Sequence, residues 1–216
     1  MSPKGIINKT YQLYGKASFF TKAYIRIKFK IHPLIKLESY VPESGKILDL
    51  GCGIGIFSNL MQLASPDRAI QGIDIDNEKI FLAQSTLGNR RNISFDLNSI
   101  QNMSGVGYDT IVISDILYLI PFAQQEIILK RYFDELPQGG LLLIKEVDKR
   151  PLWKYVLNLL QETFAVNILK FTKGSKLFFR SSIEYRELLR SIGYKIEILP
   201  LDQGYIYPHI VYICRK

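Results

Sequence analysis

The stretch ILDLGCGIGIF, residues 47–57, decides how the rest of the chain is interpreted. A short apolar run contains an acid, Asp49, and leads into three alternating glycines, Gly51, Gly53 and Gly55. Glycine lets the backbone turn sharply and leaves room for a ligand where other residues carry a Cβ atom. The stretch therefore predicts either a tight structural turn or a loop that binds a nucleotide-like cofactor.

Strand and helix patterns alternate on both sides of this loop. The predicted strands are KILDL, AIQGIDI, NISFDL, DTIVISD, LLLIKEV, KIEILPL and HIVYICRK. The predicted helices are IGIFSNLMQLA, NEKIFLAQSTLG, FAQQEIILKRYFDEL, PLWKYVLNLLQETF and SIEYRELLRSIG, with a loop at KFTKGSKLFFRS. This order is typical of an α/β fold with a mainly parallel sheet that is covered on both faces. Only DQGYIYP separates the last two strands, which is too short for a parallel crossover, so the last strand is expected to run antiparallel.

The composition fits one globular domain of 216 residues, of which 47% are apolar and 22% are charged. Two cysteines are too few for a disulfide framework, so a reducing compartment is expected. With His32 and His209 as the only histidines, no metal cluster is predicted. The chain lacks an apolar run of about 18 residues and a signal-peptide core. These features predict a cytoplasmic protein, with peripheral contact to a membrane left open.

The positive charge of the chain is concentrated at its start. Residues 1–37 carry eight basic residues and no acid, whereas the remaining 20 basic residues equal the 20 acids in number. We therefore divide the chain into a basic, aromatic N-terminal arm or lid, residues 1–37, and a main domain, residues 38–216. Within the arm, IRIKFKI alternates as a strand would, but the longer window fits a helix, and we favour helix.

The loop differs from a dinucleotide-binding fingerprint, in which a third small residue would stand where this chain has Ile56. The carboxylate of Asp49 would repel a pyrophosphate and would suit an amine-bearing or cationic ligand. Asp74 ends the next predicted strand, 23 residues after Gly51, and can accept hydrogen bonds from both hydroxyls of a ribose. Asp96, in the strand after that, could accept a hydrogen bond from an adenine amino group.

At this point the chain resembles a known family. Four segments are similar, in their order along the chain, to the successive motifs of class I S-adenosylmethionine-dependent methyltransferases. They are ILDLGCGIGIFS, GIDIDNEKIFLA, ISFDLNS and DTIVISDILYLI. The resemblance covers residues 46–146 well and the remainder more loosely. It implies a Rossmann-like, seven-stranded sheet whose last strand is antiparallel, and S-adenosylmethionine as the cofactor.

The resemblance also implies roles for individual residues. Asp49 and the three loop glycines would hold the methionine portion of the cofactor, and Asp74 would hold the ribose. The other implied cofactor contacts are Ile75 on the adenine ring, Asp96 and Leu97 at the adenine edge, Ser114 beside the sulfonium, and Cys52 as a small loop residue without chemistry of its own.

Four residues could orient a methyl acceptor or remove its proton. Asp115 and Tyr118 follow the fourth strand, where the family contacts its substrate, and His209 begins the last strand. Glu146, near the end of the fifth strand, is the fourth candidate. The structural alternatives are a strand-end histidine for His209 and packing in the core for Tyr118.

Two features of the sequence bear on the identity of the methyl acceptor: a motif that is missing after the fourth strand and an apolar segment after the fifth. Family members that methylate planar amino groups usually carry an Asp/Asn/Ser-Pro-Pro-aromatic motif after the fourth strand, where this chain reads SDIL. A substrate vestibule could form from two apolar segments, PLWKYVLNLLQETFAVNILKF and KLFFR. A core helix or a dimer face fits these segments as well. We therefore predict a small or lipid-like acceptor that is methylated on oxygen or carbon.

Two other functions stay open. An RNA methyltransferase could use the basic arm to bind phosphates, although a nucleic-acid partner is less favoured than an amphiphile or an anionic membrane surface. The scarcity of strong catalytic bases would also fit a non-catalytic subunit with this fold that docks on a membrane or a partner. A nicotinamide-dependent oxidoreductase is a distant alternative because of the loop sequence.

Overall fold

One seven-stranded sheet forms the centre of the protein in the computed structural model, which describes residues 2–157, 159 and 177–216. The strands are β1 (Gly45–Leu50), β2 (Arg68–Asp74), β3 (Ile93–Leu97), β4 (Thr110–Ser114), β5 (Leu141–Val147), β6 (Lys195–Pro200) and β7 (His209–Arg215). Their order in the sheet is β3-β2-β1-β4-β5-β7-β6. The predicted α/β fold is confirmed, and each predicted strand lies within one residue of its predicted bounds.

The sheet is parallel from β1 to β5, and β7 runs antiparallel to both β5 and β6. The expected antiparallel last strand is therefore confirmed. The carboxyl ends of the parallel strands and the start of β7 meet at one edge of the sheet. This edge collects the residues that the sequence analysis selected.

Helices cover both faces of the sheet. They are α1 (Pro3–Gln12), α2 (Phe19–Ile31), α3 (Leu34–Glu38), α4 (Ile56–Ala64), α5 (Asn77–Gln84), α6 (Phe122–Glu135) and α7 (Ser182–Ile192). Alternate strand residues point to opposite faces. The face to which Ile47 points, here called the first face, packs on α4 and the N-terminal helices, and the second face, with Leu48, packs on α6 and α7.

The N-terminal segment is helical, as favoured, and belongs to the first face. Ile25 of α2 is fully buried, and the ring of Tyr14 lies in the core. The Tyr14 hydroxyl donates a hydrogen bond to the Ile54 carbonyl and accepts one from Asn59 of α4. These contacts tie α1 and α2 to the glycine loop and to the helix that follows it. The division of the chain at residue 37 stays a prediction.

Helix α5 ends at Gln84, four residues before Gly88, where the sequence predicted its end. Ser85 donates its hydroxyl hydrogen to the Leu82 carbonyl, and Thr86 donates to the Ala83 carbonyl. Such side-chain bonds compete with the helical backbone pattern, so they account for the early end.

The predicted helix after Pro151 is described only in part. Residues 152–157 are helical, whereas most of the rest of PLWKYVLNLLQETF and the start of the loop KFTKGSKLFFRS lie outside the described residues. Among the described residues, no helix combines the length and the apolarity needed to cross a bilayer.

Candidate functional site

The glycine loop after β1 leaves an open space at one position. Gly51, Gly53 and Gly55 all have positive φ, at 74°, 58° and 80°. A Cβ atom on Gly51 would lie 2.7 Å from Ile116, and one on Gly55 would lie 2.7 Å from Phe95. A Cβ atom on Gly53 would meet nothing within 4 Å. Packing therefore requires glycine at the first and third positions, and the backbone at Gly53 is open to a ligand.

Asp74 holds this loop against the end of β2. Its Oδ2 accepts a hydrogen bond from the Gly53 amide at 2.9 Å, and its Oδ1 accepts one from the Asp76 amide at 2.9 Å. The amides of Gly51 and Cys52 both donate to the Ile73 carbonyl at 2.8 Å. The carboxylate predicted to bind a ribose thus lies directly beside the glycine loop.

Asp49 lies buried beneath the same loop. Ser58 of α4 donates a hydrogen bond of 2.5 Å to Asp49 Oδ2. Burial raises the pKa of Asp49 to about 6, with the hydrogen bond from Ser58 opposing the shift and the nearby charge of Asp74 adding to it. A cation in this crevice would favour the ionised form of Asp49, so the two carboxylates together suit the amine or sulfonium of a ligand.

Cys52 packs inside the loop. Burial raises the pKa of its thiol well above the usual range, and the charges of Asp49 and Asp74 act in the same direction. A neutral thiol is a poor nucleophile, so Cys52 is a packing residue of the loop.

The adenine-side candidates divide between the two faces of the sheet. The register pairs Asp74 with Leu97, the last residue of β3, and Ile75 follows the end of β2; the side chains of Ile75 and Leu97 are exposed. Asp96 lies on the second face, where its Oδ2 accepts a hydrogen bond of 2.7 Å from Gln71. Its predicted contact with the adenine amino group would therefore require access from the face opposite Asp49.

Asp115 follows β4 and Ser114, and its backbone is strained. Its φ of 59° makes it the one non-glycine residue with a positive φ in the described part of the chain. Such conformations cost about 1–3 kcal/mol and concentrate at functional sites. The geometry therefore supports a functional role at this position.

Charged and polar side chains surround Asp115. Lys145 of β5 lies 2.5 Å from Asp115 Oδ1, His32 Nδ1 lies 3.2 Å from Asp115 Oδ2, and Lys28 of α2 lies 3.8 Å from that oxygen. The His209 ring lies 5.2 Å from the His32 ring, centroid to centroid. We call these five residues the Asp115 centre. The sequence analysis selected only Asp115 and His209 of this group.

The ionisation states of the centre follow from its burial. Burial favours a neutral carboxyl at Asp115, but Lys145, His32 and Lys28 outweigh it and hold the pKa well below the usual range. Burial, together with nearby lysine charges, lowers the pKa of His32 to about 3 and that of His209 to about 2. At neutral pH the centre thus contains an ionised aspartate, two lysines and two neutral histidines.

Nitrogen and oxygen atoms of His32, Asp115 and His209 lie within 4.8 Å of one another, so these residues could in principle hold a metal ion. The sequence analysis did not anticipate that the two histidines would meet. The ammonium group of Lys145 contacts both Asp115 and His32 Nδ1, the latter at 3.2 Å. In this structure the cation thus contacts two of the three potential ligands, His32 and Asp115.

Tyr118 and Glu146 lie apart from this centre. The Tyr118 ring stacks on Phe179 with centroids 4.7 Å apart, and Tyr155 packs edge-on against Phe179. Glu146 is buried and accepts a hydrogen bond of 2.9 Å from the Leu117 amide. Burial raises the pKa of Glu146 well above the usual range, and the charge of Asp115 acts in the same direction.

A cavity of about 580 Å³ opens at the ends of β5, β6 and β7. Its lining is Asp148, Arg150, Pro151, Leu152, Pro200, Asp202, Pro208, His209 and Ile210. His209 Nε2 lies 2.7 Å from the Ile31 carbonyl, which requires a hydrogen on Nε2. Nδ1 of the neutral ring is then an acceptor, and it is buried without a partner among the described residues.

Comparison with known proteins agrees with this geometry. A family model described as "Methyltransferase domain" matches residues 23–198. A curated relative, the putative methyltransferase YqeM of Bacillus subtilis, is 35% identical over 80 residues, which cover 36% of this chain and 31% of the relative. The matched segments span only 18% to 31% of the three curated relatives.

Solved structures share the fold at low identity. An O-methyltransferase family protein from Burkholderia thailandensis has a TM-score of 0.68 at 17% identity, covering 91% of this chain and 58% of that one. Human N-acetylserotonin methyltransferase in complex with S-adenosylmethionine has a TM-score of 0.64 at 19% identity, and the match covers 97% of this chain and 56% of that one.

Proposed function

The chain belongs to the class I S-adenosylmethionine-dependent methyltransferase family, and from this premise we propose that it methylates an oxygen atom of a small or lipid-like apolar acceptor. The observation that carries the proposal is the cavity at the ends of β5, β6 and β7, which is lined mainly by apolar residues and reaches His209 of the Asp115 centre. It supplies an apolar binding space next to a charged site.

The residues of the glycine loop fit the cofactor. The open backbone at Gly53 allows close approach of the methionine portion, and Asp49 and Asp74 provide negative charge for its amine and sulfonium. Asp74 would also accept hydrogen bonds from the ribose, with Ile75 and Leu97 packed against the adenine. When bound, S-adenosylmethionine supplies an electrophilic methyl group, so that an acceptor oxygen forms the new O–C bond as the S–C bond breaks.

The Asp115 centre indicates which kind of oxygen would react. His209 and Asp115 both have low pKa values, so neither holds a proton strongly enough to be an efficient general base near neutral pH. Burial lowers the pKa of Lys145, and its contact with Asp115 opposes this shift. With Lys28 also 3.8 Å from Asp115, we propose that the site favours an anionic oxygen. An acidic oxygen, such as that of a phenol, an enol or a carboxylic acid, would bind in its ionised form and need little help from a base.

His209 then has an orienting role in this proposal. The lone pair on its Nδ1 can accept a hydrogen bond from a second hydroxyl or amide of the acceptor, which would fix the acceptor against the apolar lining. Positioning of this kind accounts for much of the acceleration in a displacement reaction. An O-methyltransferase family protein among the similar folds is consistent with this choice of atom.

The proposal is tested by incubating the purified protein with S-adenosylmethionine carrying a labelled methyl group and with separate lipid, small-metabolite and RNA fractions. We expect label in an apolar fraction, as an alkali-labile ester or a stable ether. Label in RNA alone would replace the proposed acceptor by a nucleic acid. Absence of S-adenosylmethionine and S-adenosylhomocysteine binding in isothermal titration would instead indicate the non-catalytic alternative.

A further inference from the structure

The outward side of α2 carries large apolar side chains that the described part of the protein leaves in solvent. Phe19 and Phe20 are 79% and 82% exposed, and Tyr24 and Ile27 are 46% and 53% exposed. Phe20, Tyr24 and Ile27 follow one another at spacings of four and three residues, so they form one stripe along the helix. We call these four residues the α2 outer face. Exposure of four large apolar side chains in one place is unusual for a protein surface.

Basic residues border this face. Lys16, Lys22, Arg26 and Lys30 lie on or next to α2, and residues 1–37 contain no acid that could neutralise them. None of these four cations forms a salt bridge with a described acid. Four of the eight basic residues in this segment therefore lie on or next to the helix that carries the exposed aromatic residues Phe19 and Phe20.

A groove between α1 and α2 combines the two features. It has a volume of about 400 Å³ and is lined by Tyr11, Phe19, Lys22, Ala23, Arg26 and Ile27. The Arg26 guanidinium lies 4.8 Å from the centre of the Tyr11 ring, and Lys22 Nζ donates to the Gly15 carbonyl. These contacts hold two cations at the rim of an apolar groove, which suits an anionic headgroup attached to a hydrocarbon chain.

We propose that α2 docks the protein on an anionic lipid surface. Phe19, Phe20 and Ile27 enter the boundary between headgroups and acyl chains, while Lys22 and Arg26 bind lipid phosphates. A nucleic acid would satisfy the cations but would leave the α2 outer face in water, so the apolar stripe favours the lipid surface. Helix α2 ends at Ile31, directly before His32 of the Asp115 centre, which lies about 20 Å along the helix axis from Phe19. A docked protein would thus hold this centre near the membrane.

The test is flotation of the purified protein with vesicles of phosphatidylcholine alone and of phosphatidylcholine mixed with phosphatidylglycerol. We expect binding only to the anionic vesicles, weakened by added sodium chloride. The double variant Phe19→Ser/Phe20→Ser should lose about tenfold or more in affinity, since two aromatic side chains no longer leave water. Lys22→Gln/Arg26→Gln should lose about fivefold for each cation removed. The matched control is Phe81→Ser, which replaces an aromatic residue on α5 that is 73% exposed, and it should bind as the unmodified protein does.

Equal binding to both kinds of vesicle, or unchanged binding of Phe19→Ser/Phe20→Ser, would overturn the proposal. A protein that bound single-stranded RNA but no vesicles would also overturn it. In that case RNA binding would depend on Lys22 and Arg26 and not on the two phenylalanines. Circular dichroism and titration with S-adenosylhomocysteine check that each variant is folded and retains its cofactor site. Vesicle binding is measured without turnover, so the two proposals are tested independently. The protein can fail to bind vesicles and still methylate its acceptor, or bind vesicles without methylating the proposed acceptor.

Discussion

The ammonium group of Lys145 lies 2.5 Å from Asp115 Oδ1, and the Lys145 side chain is completely buried. Lys145 lies on β5, an interior strand of the sheet whose seven residues are all buried. Removing a charge from water in this position is costly, and the cost is offset only while the opposite charge stays in contact. The pair therefore fixes the strained turn at Asp115 to the neighbouring strand.

Replacement of Lys145 by methionine tests this relationship. Lys145→Met should lower the free energy of unfolding by about 3–5 kcal/mol, because the buried aspartate loses its closest counter-charge. The double variant Asp115→Asn/Lys145→Met should recover part of this loss, since it leaves no buried unpaired aspartate. Urea denaturation of both variants measures the effect.

The matched control for this pair is Lys130→Met. Lys130 and Asp134 form an exposed ion pair with 3.3 Å between Nζ and Oδ2, four residues apart on α6. Its loss should cost only about 0.3–0.5 kcal/mol. Equal losses from Lys145→Met and Lys130→Met would contradict the assigned role of the buried pair.

The open position in the glycine loop leads to a second prediction. Gly53→Ala should lose about 1–2 kcal/mol of stability, because alanine is strained at a φ of 58°. Its affinity for S-adenosylhomocysteine should fall at least tenfold, since the new methyl group fills the space at which the ligand approaches. Calorimetric titration and urea denaturation measure the two effects separately.

Gly88 provides a control with nearly the same backbone. Its φ is 54°, and a Cβ atom there would also meet nothing within 4 Å. Gly88→Ala should therefore show the same loss of stability and no loss of affinity for the ligand. A parallel loss of affinity in both variants would mean that backbone strain, and not contact with the ligand, explains the result at Gly53.

Replacement of Asp49 should change the stability of the protein and its affinity for S-adenosylmethionine in opposite directions. Its pKa is raised from 3.8 to about 6, so ionisation of the buried carboxyl costs folding free energy that grows as the pH rises through this window. Asp49→Asn keeps an acceptor for Ser58 and removes this cost, which should stabilise the protein by about 3 kcal/mol at most above pH 6. The same change should weaken binding of S-adenosylmethionine, because its amine loses a nearby negative charge. A variant that is more stable and binds equally well would exclude Asp49 from the cofactor site.

The strands and the glycine loop could be predicted from the sequence because their signals are local. Each strand is a short apolar run next to turn residues, and Gly51, Gly53 and Gly55 stand directly between a strand and a helix. The helical form of α2 required the longer window, since IRIKFKI alone alternates as a strand would. Burial of Ile25 on the first face fixes this segment as a helix.

The Asp115 centre could not be predicted in the same way, because its members come from distant parts of the chain. Lys28 and His32 lie on or after α2, Lys145 lies on β5 and His209 begins β7. One local signal was present: Lys145 and Glu146 interrupt the apolar strand LLLIKEV, and a charge inside a strand buried on both faces requires a partner. Glu146, which the sequence analysis selected, instead points to the second face. Asp96 also lies on that face, since its parity along β3 is opposite to that of Leu97.

The two buried histidines predict how the stability of the protein depends on pH. The pKa of His32 is lowered from 6.5 to about 3 and that of His209 to about 2, so the unfolded chain binds more protons than the folded protein below pH 6.5. Each histidine should therefore reduce the free energy of unfolding by about 1.4 kcal/mol for every pH unit below that value. Asp49 and Glu146 act in the opposite direction because their pKa values are raised, so they offset part of the loss caused by the two histidines.

His209→Gln isolates one of these contributions. The glutamine amide can still donate a hydrogen bond to the Ile31 carbonyl, but it does not titrate. In urea denaturation between pH 6.5 and about pH 5, the variant should lose stability less steeply than the unmodified protein, by about 1.4 kcal/mol per pH unit. An unchanged slope would mean that His209 is protonated in the folded protein, and its Nδ1 would then be unable to accept a hydrogen bond from the methyl acceptor. The pH profile of stability thus tests the orienting role of His209 before the acceptor itself is known.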